Sequence, residues 1–142
     1  MALRYTTTID IDAAPERVWQ VLTDRDWYAE GDNGVVRLEG SLAQGQRVKV
    51  FAEVSPGRAF PVDVREFDPP KRMVWGSGMP LGLFSGERVF RIDPAERGVR
   101  FVMTEEFSGL LLPLISRTMP DLQPSFDQFA AGLKAAAEQP AG

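Results

Sequence analysis

The chain has 142 residues, 44% hydrophobic and 25% charged, with 16 basic and 20 acidic side chains and a net charge of -4. That size and balance predict one globular domain over 1–142, structured from about residue 3 to 138, and the negative charge argues against nucleic acid as a partner. No apolar run approaches the ~20 residues of a membrane span, and MALRYTTTID lacks the apolar stretch of a secretory signal, so a cytoplasmic protein is expected.

With neither cysteine nor histidine in the chain, thiolate and imidazole chemistry is excluded. No Asp/Asn-rich loop has the calcium-hand pattern, so neither a metal nor another cofactor is expected.

Residues 3 to 11 alternate, with Tyr5, Thr7, Ile9 and Ile11 on one face, which predicts a half-buried strand. Pro15 suits the first turn of a helix whose stripe is Val18, Val21 and Leu22, and a further helical turn is possible at 26–29. From 34 to 107 short β-rich runs alternate with turn residues such as Gly40, Gly45, Ser55-Pro56-Gly57, Asp68-Pro69-Pro70, Asp93-Pro94 and Gly98. Six strands are predicted there, near 34–39, 46–54, 61–68, 71–77, 84–93 and 98–107. With the first strand they make an antiparallel sheet of about seven, and an α+β protein.

The stretch 76–86 is glycine-rich but lacks a Gly-Lys-Ser/Thr ending and leads into a strand, so it is no phosphate cradle. Its Met79, Leu81 and Leu83 read either as an apolar lid or as a hairpin loop tucked onto the core. Trp27 and Tyr28 read as core anchors or as one closed end of a cavity.

Toward the C-terminus, Ile115, Met119, Leu122, Phe126, Phe129, Leu133 and Ala136 recur at helical spacing. The register runs through Pro120 and Pro124, which predicts a continuous kinked helix over about 111–138, roughly 40 Å long. Pro113, Pro120 and Pro124 fall on its solvent side.

In the last hairpin a four-residue loop, Pro94 to Arg97, would pair Ile92 with Val99 and Phe90 with Phe101. This register sets Gly86 opposite Glu105, Arg88 diagonally from Glu105, and Arg91 opposite Arg100. Glu105 would share a face with Val99, Phe101, Met103 and Phe107. A carboxylate there could serve as a base with its pKa raised, and the guanidinium of Arg88 could hold it ionised or anchor a ligand oxygen; a solvent-exposed pair at the sheet end explains the residues equally.

The order of elements, with the strings IDAAPERVWQVLTD at 11–24, FDPPKRMVW at 67–75 and EEFSGLLLPL at 105–114, resembles the START-like superfamily, also called SRPBCC. The strings are similar to its bacterial polyketide cyclase/dehydrase-type branch. The resemblance implies a helix-grip fold with a cavity between the sheet and a long C-terminal helix, holding a small apolar or amphipathic ligand such as a lipid or polyketide. On that reading Met119, Leu122, Phe126, Phe129, Leu133, Phe101, Met103, Phe90, Trp75 and Met79 line the ligand site. The alternatives are a cyclase/dehydrase-like enzyme using Glu105 and Arg88, and a chaperone-activator-like interaction module. Lack of histidine and cysteine counts against the enzyme. A cavity left empty would cost about 24 cal/mol per Å³, so a large pocket would argue for a ligand, while a filled interior would favour plain core packing or, with an exposed apolar patch, the interaction module.

Overall fold

A computed structural model describes residues 2–54 and 57–140, so the Ser55-Pro56 part of one expected turn lies outside the described residues. The elements follow in chain order: β1 (Leu3–Ile11), α1 (Pro15–Leu22), α2 (Arg25–Glu30), β2 (Val35–Glu39), β3 (Arg47–Ala52), β4 (Phe60–Asp68), β5 (Arg72–Gly78), β6 (Ser85–Pro94), β7 (Val99–Ser108), α3 (Leu112–Ile115) and α4 (Gln123–Ala137). All seven strands form one antiparallel sheet in the order β1-β7-β6-β5-β4-β3-β2. This is the expected α+β helix-grip architecture.

Both edges of the sheet reach α4, which explains the curl. On one flank Thr7 donates to Asp127 (2.9 Å) and Gln123 donates to the Thr6 carbonyl (3.0 Å). On the other, Gln128 donates to Asp32 (2.6 Å), just before β2. Gly132 allows this approach, because a Cβ there would stand 2.1 Å from the Asp32 carbonyl oxygen. The helices α1 and α2 close the end where β7 begins, with Trp19 edge-on to Phe67 at 5.2 Å and Tyr28 fully buried.

Two expectations are corrected. The C-terminal stripe is not one helix: α3 ends at Ile115, and helix resumes only at Gln123, so α4 is roughly 22 Å long. Pro120 and Pro124 each lack an N–H and clash with the carbonyl four residues back; together they interrupt the helix rather than bend it. All three prolines do face solvent.

The last hairpin is also displaced by two residues. Its loop is Ala95 to Gly98, Pro94 stands opposite Val99, Ile92 opposite Phe101 and Phe90 opposite Met103. Gly98, at φ 73°, takes the left-handed position of the turn, where a Cβ would be driven to 2.1 Å from the Ile11 carbonyl oxygen. The expected Arg91–Arg100 opposition is therefore absent: Arg91 faces Val102, while Arg100 lies between Asp93 and Asp10. At the other edge β3 ends at Ala52, leaving Val54 exposed.

Candidate functional site

A shift of two residues preserves which face each side chain takes. Arg88 and Glu105 thus remain on the concave face, and the true register sets them directly opposite one another. The row continues across the sheet as Tyr5, Glu105, Arg88, Trp75 and Val64, one residue from each of five neighbouring strands.

Arg88 donates from Nε (2.9 Å) and Nη2 (2.6 Å) to the same oxygen of Glu105, Oε2. The two side chains are only 21% and 12% exposed, which makes this pair unlike the open ion pairs elsewhere on the chain. Its surroundings are aromatic. The guanidinium carbon sits 4.8 Å from the centre of the Phe126 ring, in the first turn of α4, a cation–π arrangement. Tyr5 packs against Phe126 at 5.6 Å and edge-on to Phe107 at 6.4 Å, and Phe107 stacks on Phe84 at 5.8 Å. Gly86 makes room for Phe107, whose ring a Cβ would meet at 3.2 Å.

Beyond this row toward α1 the interior is filled. Trp75 meets Phe90 at 4.6 Å, and Phe129 stands 6.0 Å from Phe90, 6.2 Å from Phe101 and 5.2 Å from Trp27. Phe90, Phe101 and Leu133 have no exposed surface and Met103 only 1%, so no water-sized space adjoins them. Two hollows lie elsewhere: about 300 Å³ on the outer face of the sheet beside Glu87 and Glu106, and about 400 Å³ between α1, α2 and α4 beside Val21, Trp27 and Ala135. Tyr28 and Trp75 are among the residues that carry a polar group into the interior. Tyr28 donates its hydroxyl to the Leu22 carbonyl (2.7 Å), and burial pushes its pKa up. Trp75 is 3% exposed and its indole N–H has no acceptor among the described residues.

The expected lining residues divide into two groups. Phe126, Phe129 and Leu133 on α4 and Phe90, Trp75, Phe101 and Met103 on the sheet converge on the concave side and are buried. Leu122 packs half-buried against that core, and Met119 is half-buried in the non-helical link between α3 and α4. Met79 stands apart, half-exposed in the β5–β6 connection.

That connection and the segment after β7 are tied together by Leu110 N–H to the Gly82 carbonyl (3.3 Å) and Leu111 N–H to the Leu83 carbonyl (2.8 Å). Leu81, Leu110 and Leu114 are 92%, 79% and 64% exposed. Neither 76–86 nor 107–116 contains a charged residue. The end of the fold nearest Arg88 and Glu105 is therefore rimmed by uncharged, apolar chain. Tyr5 is the site residue that the sequence did not single out; its alternation put it on the correct face, but only the β1–β7 pairing places it beside Glu105.

The family described as "Polyketide cyclase / dehydrase and lipid transport" matches residues 2–138. No curated protein matches the chain. Among solved structures, protein MLL2253 from Mesorhizobium loti is similar with a TM-score of 0.72 at 18% identity, over 94% of this chain and 96% of that one. A point mutant of norcoclaurine synthase from Thalictrum flavum, solved with a transition-state analogue, gives 0.70 at 12% identity over 96% and 94%. The di-domain ARO/CYC StfQ of the steffimycin biosynthetic pathway gives 0.72 at 15% identity; the match covers 96% of this chain and 51% of that one. At these identities the similarity shows the fold.

Proposed function

The chain belongs to the polyketide cyclase/dehydrase and lipid transport family, and on that premise we propose that it binds a small apolar or amphipathic molecule beside Arg88 and Glu105. The observation that carries the reading is the ion pair itself. A guanidinium has five N–H donors, and the two that reach Glu105 share a single oxygen, leaving donors for a ligand oxygen. Glu105 acts as the positioning group that fixes the guanidinium, and Phe126, Tyr5 and Phe107 supply an apolar wall.

Entry is from the uncharged rim. The link between α3 and α4 is non-helical and holds only half-buried or exposed side chains, so it separates from the sheet at lower cost than either helix. The packed interior departs from the standing cavity that the resemblance implied and by itself favours core packing, since an unliganded void of 300 Å³ would cost roughly 7 kcal/mol. The ligand takes its space by displacing this link rather than by entering a standing cavity.

Native mass spectrometry of freshly purified protein, followed by solvent extraction, should reveal a bound apolar molecule. Its rebinding should weaken at least tenfold in Arg88→Met and only severalfold in Glu105→Gln. A protein that carries nothing and whose melting temperature no apolar compound raises would refute the proposal.

A further inference from the structure

Trp75 lies directly across from Arg88 on the neighbouring strand, and its indole N–H is a buried donor with no acceptor among the described residues. A donor in this position is costly to keep, and the described neighbours supply no oxygen or nitrogen acceptor: Phe90 at 4.6 Å and Tyr28 at 6.2 Å are rings, and the Tyr28 hydroxyl is directed to Leu22. The unused donors of Arg88 are one strand away. The site thus presents two adjacent sources of N–H donors on an aromatic floor.

The charge of the site narrows what those donors can take. Glu105 already neutralises Arg88 at 2.6 Å, so the pair has no net charge to offer an anion. An entering carboxylate would face Glu105 across the guanidinium and be buried with an uncompensated charge. A neutral oxygen meets neither penalty. Resting on the binding role proposed above, we infer that Trp75 is a specificity-determining donor and that the ligand is a neutral, oxygen-bearing apolar molecule, a ketone, quinone or lactone rather than a free fatty acid.

Three probes of one shape separate the cases: acetophenone, which has a neutral acceptor; ethylbenzene, which has none; and benzoate, which is charged. Binding is followed through the indole N–H proton resonances of the three tryptophans, with that of Trp75 assigned by Trp75→Phe. Acetophenone should bind about tenfold more tightly than either other probe and move the Trp75 indole proton downfield, which ethylbenzene should not do. Trp75→Phe should remove the preference of acetophenone over ethylbenzene. Glu105→Gln, which leaves Arg88 with an unbalanced charge, should raise benzoate relative to acetophenone by about tenfold.

The inference is overturned if ethylbenzene and acetophenone bind equally, or if the Trp75 proton responds to both alike. It is also overturned if that proton shows hydrogen bonding to a trapped water before any probe is added. Ethylbenzene binding without a ketone preference would leave the binding role standing. Binding by none of the three would count against both. The indole shift is read in the unaltered protein, so it holds even if Trp75→Phe folds poorly.

Discussion

Replacing Glu105 by alanine removes the acceptor of two short hydrogen bonds from Arg88, whose side chain is only about a fifth exposed in the intact pair. Breaking a fully buried ion pair from one side costs about 3–5 kcal/mol. Arg88 retains some solvent and the face of Phe126, so the expected loss is about 2–3 kcal/mol, a fall in melting temperature of roughly 6–10 °C. Replacing both partners, as Arg88→Met/Glu105→Leu, removes the charges together and should return stability to within about 1 kcal/mol of the starting protein. Urea unfolding followed by tryptophan emission of the starting protein, Arg88→Met, Glu105→Leu and the double variant gives all four corners of the cycle, with a coupling energy of about 2 kcal/mol expected. The doubly apolar variant should fold yet fail to bind the extracted ligand. A change below about 0.5 kcal/mol in Glu105→Ala would refute the reasoning, since it would mean the pair is screened like an ordinary surface contact.

Gly132→Ala should destabilise by more than 1 kcal/mol in the same unfolding assay, although alanine is the better helix former by about 1 kcal/mol, because the new Cβ meets the Asp32 carbonyl. Leu81 is a left-handed leucine at φ 62° with its side chain in solvent, so Leu81→Asn should stabilise by about 0.5–1 kcal/mol; a loss instead would show that this side chain packs in solution. Hydrogen bonds from Arg100, Arg47 and Lys134 hold the carboxyls of Asp10, Asp63 and Glu138 below their usual range. A carboxylate lowered on folding contributes stability that is complete above its unfolded pKa, near 4, and is lost as pH falls through the folded value. The melting temperature should therefore fall only in that acid window, and by less in 1 M salt or in Asp63→Asn. Tyr28 is shifted the opposite way by burial, so its neutrality stabilises the fold fully below pH ~10 and less above it; absorbance at 295 nm should show its phenolate appearing only with unfolding.

Strand positions and facing were legible because alternation is local: Tyr5, Glu105 and Arg88 could each be assigned a face from their own strands. Register was less so. Pro94 looks like a turn residue, yet it ends β6 opposite Val99, since a proline at a strand terminus forfeits little of the ladder. The turn depends instead on Gly98 and its left-handed backbone, a tertiary fit against the end of β1. The break between α3 and α4 was hidden by a stripe that stays apolar through it, because Met119 and Leu122 remain half-buried without being helical. Periodicity reports which residues turn inward; it does not report whether the backbone between them keeps its hydrogen bonds.

The break has a consequence for binding that a continuous helix would not have. A single helix from 111 to 138 would couple any opening at the Arg88 end to the contacts of Phe129 and Leu133, which are fully packed, and opening would then draw on much of the stability of the domain. With α4 beginning at Gln123, the grip on the core stays with Phe126, Phe129, Ala130 and Leu133, and α3 is held by the fully buried Leu112, while the link 116–122 between the two helices holds only half-buried or exposed side chains. The chain just before α3 is tied to the β5–β6 connection by two backbone hydrogen bonds, at 3.3 and 2.8 Å, beside the exposed Leu110 and the buried Leu112. At about 1 kcal/mol net for each bond, and about 1.5–3 kcal/mol more if Leu112 is exposed with α3, even that release is within the range a small ligand can offset, because micromolar affinity corresponds to about 8 kcal/mol. The two prolines that spoil the helix thus separate the part of the chain that must open from the part that must hold.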